Sequence, residues 1–396
     1  METKCIRLGD CILCNPKVKL IKGERYPVID IDKITVGRKY VSNKTFITFA
    51  GQSGCKFENG DTLMARITPC LENGKMAVAK IASKGLGSTE LFVFRSKDGV
   101  TDEEFVYYLL KQQYIRNLAA NSMTGASGRQ RADLKFIKRI KIQLPNLEVQ
   151  HRIASILSTC DTLIENNTKR IRLLEKMAEN LYKEWFVRFR FPGHENVEME
   201  NGLPKGWKMT NLFDVAGVTY GFAFKSNKFC DNAELNPVVR IRDIQENHTN
   251  TYTDEQCEDK YLIGKNAILI GMDGIFHMCL WNGERAYMNQ RVVMLNSKEK
   301  GVCNYLLYLA IRPQIKYWEQ VISGTTVAHL GDKHLRKVKV LLPEKAILEK
   351  ANSIISRAMD EKNILQHQNS LLARQRDLLL PRLMSGKLEV KEELLE

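Results

Sequence analysis

Three short stretches of this chain carry residue types that could do chemistry, and each fails on spacing. Cys11-x-x-Cys14 is half of a zinc site, but no matching second pair stands at usable spacing, so it reads as two thiols near a strand. A Walker-type phosphate cradle needs Lys-Ser or Lys-Thr after Gly-x-x-x-x-Gly; none is present, and Gly85-Leu86-Gly87 is too short to form one. Glu389-Val390-Lys391 has the Glu-x-Lys order of some nuclease sites, yet it lies in a terminal tail beyond the last helical pattern. The histidines are scattered, and His329 and His334 have no paired cysteine or carboxylate at ligand spacing. No Asn-Pro-Pro-Tyr-like segment is there to hold a flipped adenine. The chain therefore reads as non-catalytic, with no metal site and no cofactor of its own.

What the residue types do support is contact with a polyanion. The formal net charge is +14, and the excess is gathered in two places. Arg129, Arg131, Lys135, Lys138, Arg139 and Lys141 surround one acid, Asp133; Lys333, Arg336, Lys337 and Lys339 surround Asp332. A merely solvated face interleaves acids with bases, so these clusters favour nucleic acid. The alternative is a non-enzymatic coiled-coil adaptor whose basic loops bind an acidic protein partner. Each cluster follows a polar loop, Asn121 to Arg131 and Ser323 to Leu330, in which glycine lets the backbone approach a phosphate closely.

The elements that must position these loops recur. From Leu147 to Phe189 a heptad seam runs through Ile153, Leu157, Cys160, Ile164, Asn167, Ile171, Leu174, Ala178, Leu181 and Trp185, with Glu165, Lys169, Arg170, Glu175, Lys176 and Glu179 on solvated flanks. From Glu344 a poorer seam runs through Ala351, Ile355, Ala358, Lys362, Leu365, Asn369, Leu372, Arg376, Leu379 and Leu383. Each helix follows a strand ending in proline, Ile137 to Pro145 and Leu335 to Pro343, and the two prolines stand 198 residues apart. One plan is thus used twice. Before each strand the spacing predicts short apolar strands, Arg25 to Ile31 and Asp61 to Ile67, then Pro237 to Ile244 and Asn266 to Met272. Amphipathic helices follow at Asp102 to Leu118 and Asn304 to Glu319. An antiparallel pairing of the two seams gives facing positions a constant residue-number sum of 536, which sets Asn167 opposite Asn369 as a mutually satisfied amide pair. Lys362 and Arg376 bury poorly in a bare pair, which predicts further helices alongside.

Composition bounds the setting. The apolar fraction is 44%, no stretch approaches the roughly 20 apolar residues that cross a bilayer, and Met1-Glu2-Thr3-Lys4 opens no signal peptide. The expected location is cytoplasmic, where ten cysteines stay reduced. The domains read as residues 1–146, a first long helix at 147–191, a turn-rich linker at 192–208, a second domain at 209–343, and a second long helix and tail at 344–396.

Several motifs together resemble the specificity subunit of type I restriction-modification enzymes. They are Ser127-Gly128-Arg129-Gln130-Arg131-Ala132-Asp133-Leu134, Leu144-Pro145-Asn146-Leu147-Glu148-Val149-Gln150-His151-Arg152-Ile153, Gly202-Leu203-Pro204-Lys205-Gly206-Trp207, and the closing Leu380-Pro381-Arg382-Leu383-Met384-Ser385-Gly386-Lys387-Leu388. The second repeat departs from the pattern at Glu344-Lys345-Ala346-Ile347 and in its loop. The resemblance implies an α+β chain in which two similar strand-rich target-recognition domains are separated by an antiparallel two-helix coiled coil with a pseudo-two-fold internal repeat. It also implies recognition of a bipartite, asymmetric site in double-stranded DNA. Two modification subunits carrying the S-adenosylmethionine chemistry and two restriction subunits using ATP and Mg would be the partners, with no membrane involved. The expected DNA contacts are Arg66, Ser127, Arg129, Gln130, Arg131 and Lys135 in the first domain, and Arg242, Thr325, Thr326, His329, Lys333 and His334 in the second. Among these, arginine and glutamine suit base edges and lysine suits phosphates.

Overall fold

The computed structural model describes residues 2–42, 45–125, 130–322 and 328–389. It forms two compact units, residues 1–169 with 366–396, and residues 170–365. Each unit holds one strand-rich domain and part of each long helix.

In the first unit the strand Thr3–Arg7 pairs antiparallel with Lys141–Pro145, Thr3 opposite Pro145 and Arg7 opposite Lys141. The chain then enters a five-stranded sheet in the order Ile12–Cys14, Leu91–Ser96, Thr62–Ala65, Met76–Ala79, Tyr40–Val41. Its central strands are buried along their whole length, because both faces are covered. Alternate residues explain this. Met64, Met76, Val78, Phe92 and Phe94 join the core under helix Glu103–Lys111, with Phe105, Tyr108 and Leu109, while Leu63, Ala77, Ala79, Leu91 and Val93 face Ile29 and Phe57 of a second sheet. That sheet has the order Phe46–Thr48, Arg25–Ile29, Lys84–Gly87, Cys55–Glu58.

The second unit repeats the plan. Lys208–Asn211 pairs with Lys339–Leu342, the main sheet runs Ala216–Tyr220, Val292–Ser297, Ile268–Gly271, Met278–Leu280, and the smaller one runs Tyr252–Thr253, Asn236–Val239, Tyr287–Met288. Alternation again splits the main sheet, with Ile268, Ile270, Val293 and Leu295 in one core and Leu269, Val292 and Met294 in the other. Helix Asn304–Val321 covers the first of these faces.

Three expectations about elements need correction. The proline-ended strands begin later than the apolar pattern suggests: Asp133 caps a short helix, Leu134–Arg139, by accepting from Lys135 N at 2.8 Å, so the strand starts only at Lys141. In the second unit a turn at Asp332–Leu335 does the same. The predicted helix from Asp102 to Leu118 is two helices, Glu103–Lys111 and Gln113–Asn121, broken where Gln112 takes ψ 132°. The linker at 192–208 is packed: Asn201-Gly202 turns a short hairpin between Met199–Glu200 and Leu203–Pro204, and Trp207 is buried against the rings of Phe186, Phe189 and Phe191.

Within each unit the long helices, Leu147–Tyr182 and Lys345–Met384, pack antiparallel along the seams. In the first unit Ile153, Leu157, Leu383 and Asn167 are buried, and Ile164, Asn369, Leu372 and Leu379 are half-buried. In the second, Ala178, Ala351, Ile355, Ala358 and Leu365 are buried, with Ile171, Leu174, Leu181 and Trp185 half-buried. A π turn at Lys183–Val187 ends the first seam and moves Phe186 into the interior place that heptad spacing assigned to Trp185. The two charged positions of the second seam are matched from the first helix. Arg376 pairs with Asp161 in the first unit and Lys362 with Glu175, at 2.7 Å, in the second. No further helix is needed to explain either cation, and Glu175 is an ion-pair partner where a solvated flank was expected. The predicted amide pair is also altered: Asn167 Nδ2 donates to Gln368 Oε1 at 3.5 Å, beside Asn369, whose buried Oδ1 has no partner among the described residues.

Arg376 and Asp161 are 1% and 2% exposed, Tyr108 Oη donates to Asp161 at 2.6 Å, and Arg376 Nη1 donates to the Gly37 carbonyl at 3.2 Å. Removing either charge alone, as in Arg376→Ala or Asp161→Ala, is expected to destabilise the full chain by about 3–5 kcal/mol. The paired Asp161→Leu and Arg376→Met exchange is expected to cost about 1–3 kcal/mol, for the Tyr108 hydroxyl hydrogen and the Gly37 carbonyl that lose their partners. Urea unfolding of the three variants checks this; a double variant as unstable as the singles would show that the pair's charge matching is not what matters.

Candidate nucleic-acid interface

The strand Thr62–Ala65 delivers Arg66 to the mouth of a cleft, and backbone hydrogen bonds stitch the basic segment beside it. Arg66 N donates to the Glu90 carbonyl at 3.0 Å, Ala132 N to the Arg66 carbonyl at 2.8 Å, and Thr68 N to the Gln130 carbonyl at 3.0 Å. Arg131 exchanges backbone bonds with Thr124, at 3.0 and 3.1 Å, so residues 130–132 run as a strand-like edge. The cleft, about 620 Å³, is lined by Asn15, Arg66, Phe92, Thr124, Arg131, Asp133, Lys135 and Lys138. The Arg66 guanidinium lies 5.0 Å over the Phe92 ring, and its Nε is buried without a partner among the described residues. Lys135 and Lys138 are exposed. Arg131 grips the Glu90 carboxylate through Nε and Nη2, at 2.5–3.1 Å, which holds the Glu90 carboxyl below the usual carboxylate range.

The second unit builds the same backbone with different side chains. Leu330 N donates to the Met272 carbonyl at 2.8 Å and Met272 N to the Arg291 carbonyl at 3.0 Å. His329, which stands 198 residues after Arg131, pairs its Nδ1 with Asp273 Oδ1 at 2.6 Å, and Arg291 Nε approaches the other oxygen at 3.3 Å. His334 is turned inward: its Nδ1 accepts from Gly331 N at 3.0 Å and its ring lies 5.1 Å from that of Trp318. Burial first, then the charges of Lys333, Lys337 and His329, push its pKa below the ordinary histidine value, as an accepting Nδ1 requires. Lys333 is exposed.

Of the expected contacts, Arg66, Arg131 and Lys135 share one cleft, and Gln130 borders it through its carbonyl. Arg242 belongs to a separate group, donating to Thr251 Oγ1 at 3.1 Å beside Asp243. Ser127, Arg129, Thr325 and Thr326 lie outside the described residues, as do Val390 and Lys391. Sequence reasoning missed Glu90, Asp273, Arg291 and Phe92. Glu90 and Asp273 reach their partners across 41 and 56 residues of chain, and no periodicity links positions so far apart. The basic positions, by contrast, recur in strict step: Lys135 with Lys333, Lys138 with Arg336, Arg139 with Lys337 and Lys141 with Lys339, all exposed. Cys11 and Cys14 are free thiols, and burial pushes them up to about 12 and about 11. Among the described residues no group of three or more His, Cys, Asp or Glu is placed to hold a metal ion, and no helix is long and apolar enough to cross a membrane.

Two sheet-and-helix units, each with a basic edge on the same backbone frame, define a duplicated two-domain protein. The family model for the type I restriction modification DNA specificity domain matches residues 4–176 and again 204–372, and the chain belongs to that family. It is 28% identical over 322 residues to the type I restriction enzyme MjaIX specificity subunit of Methanocaldococcus jannaschii, covering 75% of this chain and 71% of that one. With the MjaVIII specificity subunit of the same organism the identity is 24% over 417 residues, covering 98% and 94%. The fold is similar to that of the crystal structure of a type I restriction-modification S subunit from M. genitalium, with a TM-score of 0.57, 17% identity and 96% of both chains covered.

If Lys135 and Lys333 meet phosphates, Lys135→Ala and Lys333→Ala should each lower the slope of log affinity against log salt by about one unit, equally for all duplex sequences. Fluorescence-anisotropy titrations over a salt series read the slope, and an unchanged slope for both would remove these lysines from the interface.

Proposed function

We propose that this chain is the DNA-reading subunit of a type I restriction-modification complex, with each domain reading one half of a bipartite, asymmetric duplex site. The observation that carries the reading is the recurrence of four exposed cationic positions at one spacing of 198 residues, each set beside a cleft or loop on the same backbone scaffold. The clusters are too regular to be a scattered solvated surface, and their placement on a short helical turn that leads into a paired strand suits a groove-facing edge. Arg66, Arg131 and Lys135 carry the contacts in the first domain; His329 and Lys333 carry them in the second, with Arg242 at its margin. Ser127, Arg129, Gln130, Thr325 and Thr326 complete the proposed set, and His334, held inward by Gly331 N and Trp318, is left out of it.

In this reading the long helices also dock two modification subunits, and through them two restriction subunits, whose chemistry uses S-adenosylmethionine, ATP and Mg. The chain itself then contributes recognition and no catalytic step. The proposed division is residues 1–146 and 209–343 as readers and 147–191 and 344–396 as the shared helical scaffold.

Exchanging residues 1–146 for those of a relative should alter one half of the methylated motif and leave the other as it was. Methylome sequencing of cells carrying the whole system with the parent or the exchanged chain reads this. Bases altered in both halves, or in neither, would refute the two-reader proposal.

A further inference from the structure

We propose that Glu90 and Asp273 are positioning residues that hold Arg131 and His329 in the orientation in which each reads a base edge. This rests on the DNA-reading function above. The two pairs occupy the same place in the two units. Ile67 bridges Arg131 as Asp273 bridges His329, and the next residues, Ala132 and Leu330, donate to equivalent carbonyls. The carboxylates, however, come from different elements. Glu90 precedes the strand Leu91–Ser96, whereas Asp273 follows the strand Ile268–Gly271. Two different routes that bring an acid to the same point are hard to explain as a by-product of one duplicated scaffold.

The chemistry says what the pairing does. Glu90 takes the Nε and one Nη2 hydrogen of Arg131. The guanidinium is planar, so of the three donors left over one on Nη1 and one on Nη2 point from its far edge as two parallel N–H groups. That is the complement of guanine O6 and N7 in the major groove. An arginine free on its flexible stem would meet phosphates as readily as bases; one fixed by a carboxylate presents a single edge in a single direction. In the second unit Asp273 Oδ1 holds His329 through Nδ1, which fixes the plane of the ring and leaves the Nε2 edge to meet a base. Arg131 and His329 both remain 46% exposed on their side chains, so the unheld edges are accessible. A carboxylate on a DNA-facing surface also repels phosphate, so it trades general affinity for discrimination.

The test uses the full chain in its complete complex, with the methylated motif as readout. Glu90→Gln should relax one guanine-containing position in one half-site, with discrimination there falling about ten-fold or more, while the other half-site stays intact and binding to non-specific duplex is unchanged or stronger. Arg131→Lys, which keeps the charge but not the fork, should relax the same position, and the double variant no further. Asp273→Asn should relax only the opposite half. An unchanged motif in Glu90→Gln and Asp273→Asn overturns the inference, as does loss of methylation everywhere in Glu90→Gln with Arg131→Lys unaffected, which would make Glu90 a folding residue. If the exchange of residues 1–146 changes a half-site while these variants do not, the DNA-reading function stands and only the positioning role falls; if neither changes the motif, the function itself is refuted.

Discussion

An arginine taken out of water has to be matched where it sits, and Arg376 is the point on which the first unit turns. Burial works against its charge, and Asp377 and Asp161 more than offset that, so its pKa stands above the ordinary arginine value. Asp161 in turn accepts from Tyr108, Tyr108 lies beside the buried Lys39, and Lys39 pairs with Glu104. This network ties the Gly37 to Lys39 loop and the helix Glu103–Lys111 to both long helices at once. Each uncompensated ion in such a place costs several kcal/mol. A slip of either helix by one turn would leave at least two charges unmatched, so the network holds the register more stringently than the apolar seam around it.

The second unit solves a similar problem more lightly. Lys362 meets Glu175 with its side chain still partly exposed, and its ammonium lies 5.9 Å from the Tyr305 ring. Around it, small residues at Ala178, Ala351 and Ala358 let the helices approach, while the aromatic cluster of Phe186, Phe191 and Trp207 closes the end of the core. The segment 192–208 is therefore part of the second unit's packing, anchored by the rings that flank its turns.

The duplicated scaffold separates what is shared from what differs. Strand pairing, sheet order and the backbone bonds at the basic edge recur in both units, so their geometry rests on main-chain atoms and tolerates exchange of side chains. The side chains at that edge do differ: Arg131 with Glu90 in one, His329 with Asp273 and Arg291 in the other, where Tyr220 also donates to Asp332 at 2.8 Å. A common backbone frame thus carries unlike side chains in the two units, which is the physical basis of the proposal that each reads a different half-site.

The repeat, the two long helices, their buried stripe and the basic clusters were all legible in the linear chain, because each depends on local spacing: heptads for Ile153 to Leu181, a constant interval for Pro145 and Pro343, charge density around Lys135 and Lys333. Short-range pattern also suggested strand for residues 137–140, where the Asp133 cap, a single side-chain hydrogen bond, decides for helix. Only the tertiary structure settled what lies opposite what. Arg376 and Lys362 read as flaws in a seam until Asp161 and Glu175 were found facing them, and Asn167 reaches Gln368 instead of Asn369 because side-chain reach, as well as heptad position, selects hydrogen-bond partners. Glu90 and Asp273 carried no signal at all in the sequence. A carboxylate's role depends on which cation it meets across 41 or 56 residues of chain, and that distance is closed by sheet pairing, whose partners no local periodicity specifies.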